Sequence, residues 1–254
     1  MGFHHLDHYA DVHGPLDRVA PAARVLGTVL VAVAAALLPL GAWPPMLALL
    51  ALVLALGRFA GVPLATLLRR AAPPLGLLLL ASLAVLVLAP GETVARVGPL
   101  AITDAGVQRV GSAVLRGGAA ILAGVVLIST TRFPDLVEAL RELRLPLVVT
   151  AALGLAYRFL YLLTDEVAQL QRAAASRNAR GGAVARRELL LGITASALHR
   201  SFDRSERVHR AMLARGYQGT LPTLRPQPLD RRSAAALAGL ALALLLLVAW
   251  ARTR

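Results

Sequence analysis

The residues best suited to metal chemistry are histidines and aspartates near the start of the chain. Imidazole nitrogens and carboxylate oxygens are common ligands of divalent transition metals. Six such residues lie close together: His4, His5, Asp7, His8, Asp11 and His13. Their spacing defines no coordination geometry by itself, so a disordered or interfacial N-terminal segment is the preferred interpretation. We therefore predict that this chain holds no metal of its own.

A carboxylate pair farther along the chain, Asp165 and Glu166, could in principle act as a catalytic acid and base. The sequence places no nucleophile or metal-binding cluster with it. An ion pair with Arg172, or stabilisation of a helix start, is the expected role. A phosphate-binding loop with the Gly-Lys-Ser/Thr pattern is absent as well. The sequence therefore predicts no catalytic residue, no cofactor bound by this chain and no enzyme activity.

Basic residues form the strongest chemical signal. All 27 are arginine, and the net charge is +13. A charge of this size can indicate nucleic-acid binding. Here, however, the arginines lie between and after apolar blocks, where they would meet membrane lipid or a partner protein. We predict no nucleic-acid partner.

Two of these arginines follow a small residue at a predicted helix end. A small neighbour lets a partner backbone approach closely, and the guanidinium can then bond a carboxylate or a helix C-terminus in a bidentate manner. Solvation of the helix end, or binding to lipid phosphate, is the alternative that spacing alone favours. The two triplets are Ser176-Arg177-Asn178 and Ala214-Arg215-Gly216.

Strong helix formers precede both triplets. No Pro or Gly interrupts the chain from Arg158 to Asn178, and residues 178–182 form a stop signal. A second helix is predicted from about Arg187 to Arg215, followed by Gly216 in the left-handed region. Arg215 would then lie at the negative end of the helix dipole, where a cation is favoured.

Apolar blocks account for most of the remaining sequence, which is 57% hydrophobic and only 16% charged. A soluble domain is about 45–50% apolar and about 25% charged, and a helix needs about 20 apolar residues to cross a membrane. Five spans are predicted: Val25–Leu40, Trp43–Leu56, Pro73–Ala89, Ser112–Thr130 and Ala234–Trp250. Residues 57–72 and 90–111 are predicted as loops.

Charge bias sets the orientation, because cytoplasmic loops carry the excess of Arg and Lys. Residues 164–232 contain thirteen arginines and six acidic residues, so they are placed inside. The apolar run 147–163 then begins and ends inside, and we predict that it faces the membrane without crossing it. Five spans leave the C-terminus outside. The predicted regions are a cytoplasmic segment 1–24, four spans in 25–131, a cytoplasmic region 132–232, and a last span with its tail in 233–254.

Four stretches of the sequence resemble the T components of energy-coupling-factor (ECF) transporters, and among these the cobalt type, CbiQ. They cover nearly the whole chain in the family's order, and the last is the most specific. Ser176 and Asn178 depart from the Ala-Arg-Gly pattern of the family, which Ala214-Arg215-Gly216 matches fully. The stretches are Leu6–Ala10 with Gly14–Arg24, Thr130–Leu140, Tyr157–Arg177 and Glu206–Tyr217.

The resemblance implies an all-α polytopic protein of the bacterial cytoplasmic (inner) membrane, with about five transmembrane helices and a cytoplasmic pair of long coupling helices. It implies partners as well: two ATPase subunits of the ABC type and a substrate-binding membrane subunit. By this resemblance Arg177 and Arg215 each dock into one ATPase, and the cargo is cobalt. The metal site of such a transporter would belong to the partner.

Two alternatives stay open. The chain could be the T component of a nickel or vitamin ECF transporter, because specificity would lie in a partner. It could instead be a permease with its own substrate site, which predicts ionisable or broken-helix features inside the spans. The five predicted spans hold almost none, apart from Arg116 near one end of its span.

Overall fold

A computed structural model describes residues 19–88, 93–97, 100–176, 183–219 and 229–253. The chain divides into two compact units. We call described residues 19–139 and 229–253 the membrane bundle. Described residues 140–219 form the α6–α7 unit, named after its two long helices, α6 (Leu147–Ser176) and α7 (Ala183–Ala214). The predicted all-α polytopic class is confirmed.

Five apolar helices build the membrane bundle. Two of them, α1 and α2, are 17 residues long and extend about 25 Å. The other three, together with α6, are long and apolar enough to cross a membrane by length and composition. The bundle helices are α1 (Pro21–Leu37), α2 (Trp43–Phe59), α3 (Leu64–Leu88), α4 (Asp104–Thr130) and α8 (Arg231–Arg252). A short helix, α5 (Phe133–Glu142), follows α4.

Close approach between helices depends on glycines of α4. A Cβ at Gly111 would lie 2.3 Å from the ring of Trp43 at the start of α2, and one at Gly117 would lie 2.7 Å from Leu78 of α3. Both distances are shorter than van der Waals contact, so only glycine fits without a shift. Small residues at helix contacts are typical of membrane bundles, because helix association there depends on close packing.

The start of α3 differs from the prediction. The predicted span begins at Pro73, and residues 57–72 are predicted as a loop. In the structure, α3 begins at Leu64 and contains both Pro73 and Pro74. Each proline lacks an N–H and leaves one carbonyl of the preceding turn without its helical partner. Membrane helices tolerate such prolines when neighbouring groups satisfy the carbonyls. Arg69 and Arg70 are therefore helical residues and not loop residues.

The predicted loop 90–111 is also wrong in part. Residues Thr93–Val97 (β1) and Leu100–Thr103 (β2) pair as an antiparallel hairpin, and α4 begins directly after it at Asp104. The hydroxyl of Thr103 accepts a hydrogen bond from the Gly106 N–H at 3.2 Å and caps the helix. A threonine followed by an acidic residue is a helix-start signal that the sequence contained, eight residues before the predicted span.

Hydrogen bonds from the N-terminal side of α1 show which helix ends lie together. The backbone N–H of Ala20 donates to the Ser233 hydroxyl at 2.9 Å, which joins the starts of α1 and α8. Arg24, in the first turn of α1, donates to the Thr130 carbonyl oxygen at the end of α4. Carbonyl groups at a helix C-terminus carry partial negative charge, so a guanidinium stabilises that end.

A second arginine reaches the same end of α4. Arg70 Nη1 donates to the Ser129 hydroxyl at 2.7 Å, while at the opposite end of α4 the Gly41 N–H donates to the Ser112 hydroxyl at 3.1 Å. The starts of α1, α3 and α8 and the end of α4 therefore share one end of the bundle. The predicted location of the C-terminus outside follows if α1 starts in the cytoplasm, as charge bias predicts, and it stays a prediction.

Candidate functional site

The two helices of the α6–α7 unit are joined by a buried carboxylate. Glu166 of α6 is 8% exposed, and its two oxygens face two arginines of α7. Arg200 Nη1 donates to Oε1 at 3.5 Å, and Arg204 Nη2 lies 3.0 Å from Oε2 in an ion pair whose geometry does not make a hydrogen bond. We call Glu166, Arg200 and Arg204 the carboxylate clamp.

This arrangement corrects the predicted role of the acidic pair. An ion pair with Arg172 was expected, but Glu166 pairs across helices with residues 34 and 38 positions later. Asp165, the neighbouring carboxylate, is exposed. Two residues adjacent on a helix point about 100° apart, so only one of them can face α7. The clamp therefore links α6 to α7 by two ion pairs.

Two tyrosines stiffen α6 one turn before the clamp. The hydroxyl of Tyr161 donates to that of Tyr157 at 2.9 Å, and their rings meet edge to face with centroids 5.3 Å apart. Aromatic pairs of this geometry contribute about 0.5–1.5 kcal/mol beyond their buried area. The pair lies within α6, just before the turn that carries Glu166.

The end of α7 has the geometry predicted for its glycine. Gly216 has φ +81°, the Tyr217 N–H donates to the Met212 carbonyl oxygen at 3.0 Å, and the Gly216 N–H donates to that of Leu213 at 3.0 Å. These two bonds define a Schellman motif. Helix α7 ends at Ala214, so Arg215 is the cap residue just beyond the last turn.

The side chains of this helix end face outward. Ala214, Arg215 and Gly216 are all exposed, and a Cβ at Gly216 would meet nothing within 4 Å. Glycine is therefore required for its positive φ and not for space. Within the other triplet, Ser176 is the last residue of α6, while Arg177 and Asn178 lie outside the described residues. Their predicted docking role stays a prediction, as does that of Arg215.

Large apolar side chains of α7 also lie on the surface. Phe202, which lies between the clamp residues Arg200 and Arg204 in the sequence, is 67% exposed. Such exposed apolar side chains on a charged helix are candidates for contact with a partner or with lipid, because monomeric soluble proteins seldom expose large contiguous apolar patches. The exposed set is Leu190, Leu191, Leu198, Phe202 and Leu213.

No group of three potential metal ligands occurs in the described part of the chain. The histidines of residues 4–13 lie outside it. On α7, His199 and Asp203 lie 3.7 Å apart, and both side chains are largely exposed. One histidine and one carboxylate at the surface are too few ligands for a specific site.

Arg116 differs from every other arginine of the bundle. Arg116 is residue 13 of the 27 in α4, so it lies near the middle of this helix. The shorter predicted span placed it near one end. Its Nε and Nη2 atoms are buried and have no hydrogen-bond partner within the described residues. An Arg at the centre of a membrane helix costs about 2.5–3.5 kcal/mol on insertion scales.

Similarity to known proteins agrees with this architecture. The sequence matches the CbiQ family, described as cobalt transport protein, over residues 14–227. It is 29% identical over 242 residues to the energy-coupling factor transporter transmembrane protein EcfT of Heliobacterium modesticaldum, with 88% of each chain covered. It is 30% identical over 138 residues to the cobalt transport protein CbiQ of Rhodobacter capsulatus, which covers 52% of this chain and 55% of the relative.

The family match spans most of the chain, and its residues include four of the five apolar helices of the bundle, α1 to α4, and the carboxylate clamp. The resemblance found in four sequence stretches is thereby confirmed. This multi-pass membrane protein belongs to the CbiQ family of cobalt transport proteins and is a transmembrane component of the ECF transporter type.

Proposed function

We propose that the chain couples two ATPase subunits to a substrate-binding membrane subunit in a transporter that imports cobalt. The α6–α7 unit would receive ATPase motion at its two helix ends, near Arg177 and Arg215. The observation that carries this proposal is the carboxylate clamp. Because Glu166 joins α6 to α7 through two arginines, a displacement imposed on one helix moves the other.

The exposed end of α7 suits an acidic docking groove. Arg215 is exposed beyond a helix whose final carbonyls are satisfied by the Schellman bonds of Gly216 and Tyr217. A rigid end presents the guanidinium in one place, which lowers the entropy lost when a partner binds. Planar bidentate pairing with a carboxylate then supplies specificity.

The positions of the helix ends in the bundle support a cytoplasmic location for the α6–α7 unit. The end of α4 and the start of α8 share one end of the bundle, so the intervening chain crosses the membrane an even number of times. Helix α7 carries charged residues near its start, at 186–188, and throughout residues 200–210, so it is unsuited to a hydrocarbon core. A single crossing by α6 would break this parity. We therefore infer that α6, despite its apolar residues 147–163, stays on the inner side.

The charges of the bundle favour a coupling role over a permease. Arginine is the only ionisable residue within its five helices except for Asp104 at the start of α4. A fixed guanidinium at mid-depth, Arg116, repels a divalent cation in a medium of low dielectric constant. Cobalt would therefore pass through a partner, and we infer that this chain binds neither the metal nor ATP.

Charge reversal at the end of α7 tests the proposal. In the assembled complex, Arg215→Glu is expected to reduce co-purification of the ATPases or ATP-dependent cobalt uptake at least tenfold. Arg187→Glu makes the same charge change at an exposed site near the other end of α7 and is expected to leave both unchanged. Wild-type uptake and ATPase content in Arg215→Glu would refute the proposed coupling role.

The cargo is tested separately. Radioactive cobalt uptake by cells that contain the complete transporter is expected to exceed nickel uptake, because the family and one relative carry the name cobalt transport protein. Faster uptake of nickel, or of a vitamin, would replace cobalt as the cargo and leave the coupling role intact.

A further inference from the structure

We propose that Arg116 is the docking point for an acidic side chain on a transmembrane helix of a different membrane subunit. This inference rests on the proposed function, because that function supplies the membrane partner. It starts from the buried Nε and Nη2 atoms of Arg116, which lack a hydrogen-bond partner within the described residues. An intramembrane ionisable residue is usually paired, and here the pair is missing.

The depth of Arg116 limits what can neutralise it. It follows the start of α4 by twelve residues and precedes the end by fourteen, which corresponds to about 18 and 21 Å along the axis. The hydrocarbon core is about 30 Å thick. Its Cα therefore lies near the bilayer centre, farther from either layer of phosphates than an arginine side chain extends. A lipid headgroup is a poor partner at this depth.

The five apolar helices of the bundle lack a complementary charge at this depth. Helices α1, α2, α3 and α8 contain no Asp or Glu, and α4 contains only Asp104 in its first turn. A second copy of the bundle would bring the same helices and the same deficit. A water-soluble ATPase cannot reach mid-membrane. A carboxylate on a different transmembrane chain remains as the counter-charge.

The face of α4 beside Arg116 can accept such a helix. Ala113 is exposed, and a Cβ built on Gly124 would have nothing within 4 Å. Ala113, Ala120 and Gly124 follow each other at intervals of seven and four residues, which places them on the same side of the helix. Small residues allow a second helix to approach closely. The side chain of Arg116 lies at the edge of this face and is part-exposed. Its Nη1 is not one of the buried, unpartnered atoms, so a partner carboxylate would approach the guanidinium at this nitrogen.

Removal of the charge tests the pairing in the purified complex. The tagged chain is isolated in mild detergent with its ATPases and membrane partner, and each subunit is quantified. In Arg116→Met we expect at least a tenfold loss of the membrane partner with the ATPases retained, and in Arg116→Lys we expect partial retention. Arg109→Met, at an exposed site two turns toward the start of α4, serves as the matched control and should retain the partner.

A cross-link provides a second measurement that does not depend on detergent. The chain has no cysteine, so Ala113→Cys labelled with a photoreactive maleimide reports contacts of this face in intact membranes. We expect a cross-link to the membrane partner that disappears when Arg116→Met is added. Full retention of the partner and of the cross-link in Arg116→Met overturns the proposal, and retention of the partner with loss of bound anionic lipid assigns Arg116 to lipid instead.

The two proposals fail in distinguishable ways. If ATPases do not co-purify with the wild-type chain, the coupling role fails before Arg116 is tested. If they do, and Arg116→Met keeps its partner, only the docking assignment is wrong. A charge exchange completes the test: Arg116→Glu should lose the partner, and an Asp or Glu to Arg change in one partner span should restore it.

Discussion

The membrane bundle and the α6–α7 unit are stabilised by different forces. In the bundle, sixteen buried apolar residues form one continuous core. In the described part of the α6–α7 unit, Ala151 is the only buried hydrophobic residue. The contact described above between its two helices is the carboxylate clamp. The bundle is therefore held by packing, and the α6–α7 unit by charge.

This difference suits a coupling protein. Close packing makes the bundle rigid, because a packed core does not deform continuously. Ion pairs with partly exposed arginines are adjustable and weakened by salt, which agrees with the proposed transmission of ATPase motion by the α6–α7 unit. Substitutions that disturb the packed core should therefore affect the folding of the bundle, and substitutions at the exposed end of α7 should affect assembly and transport.

Loss of the clamp carboxylate should have the largest effect. Glu166→Ala leaves Arg200 and Arg204 unpaired side by side, and we expect destabilisation of the α6–α7 unit by about 1.5–3 kcal/mol, the range for bonds to charged groups. Proteolysis within residues 140–219 and loss of uptake report it. Asp165→Ala, which removes the neighbouring exposed carboxylate, is the control. Equal effects of the two changes would show that the clamp does not hold the helices.

Overpacking of the bundle should come next. Gly111→Ala places a methyl group 2.3 Å from the Trp43 ring, and we expect a loss of about 1–3 kcal/mol in bundle stability. Gly76→Ala introduces the same group where nothing lies within 4 Å, so it should be neutral or slightly stabilising. Thermal unfolding of the purified protein in detergent measures both. The comparison between units fails if Gly111→Ala unfolds the α6–α7 unit instead.

A smaller effect is expected at the end of α7. Gly216→Ala forces a side chain into the left-handed region, which costs about 1–2 kcal/mol. The helix end should fray, and affinity for the ATPases should fall about tenfold, since 1.4 kcal/mol corresponds to a factor of ten. Gly192→Ala lies inside α7 with open space around it and should instead favour the helix. Unchanged ATPase affinity in Gly216→Ala would show that docking does not depend on the geometry of this helix end.

The smallest predicted difference lies between the two clamp arginines. Arg204 is closer to Glu166 than Arg200 is, at 3.0 Å against 3.5 Å, and its side chain is 34% exposed against 57%. Arg204→Met should therefore destabilise more than Arg200→Met, with each effect at most about 1 kcal/mol because of solvent screening. A double-mutant cycle with Glu166→Gln at low and high salt measures each pair. Equal coupling energies would remove the distinction.

The sequence by itself determined the features that depend on neighbouring residues. Apolar blocks of sufficient length predicted membrane helices, since the transfer of each side chain into hydrocarbon is a local property. The left-handed conformation of Gly216 was predictable for a similar reason, because the helix must end where only glycine avoids a steric cost. The family followed from four stretches, and the match over residues 14–227 confirmed it.

Only the tertiary structure decided which distant groups meet. Nothing local to Glu166 distinguishes Arg172 from Arg200 or Arg204, because the choice depends on how α6 crosses α7. The inclusion of Pro73 and Pro74 within α3 likewise depends on packing that outweighs two lost hydrogen bonds. Contacts between residues far apart in sequence depend on the arrangement of the whole chain, which local periodicity does not encode.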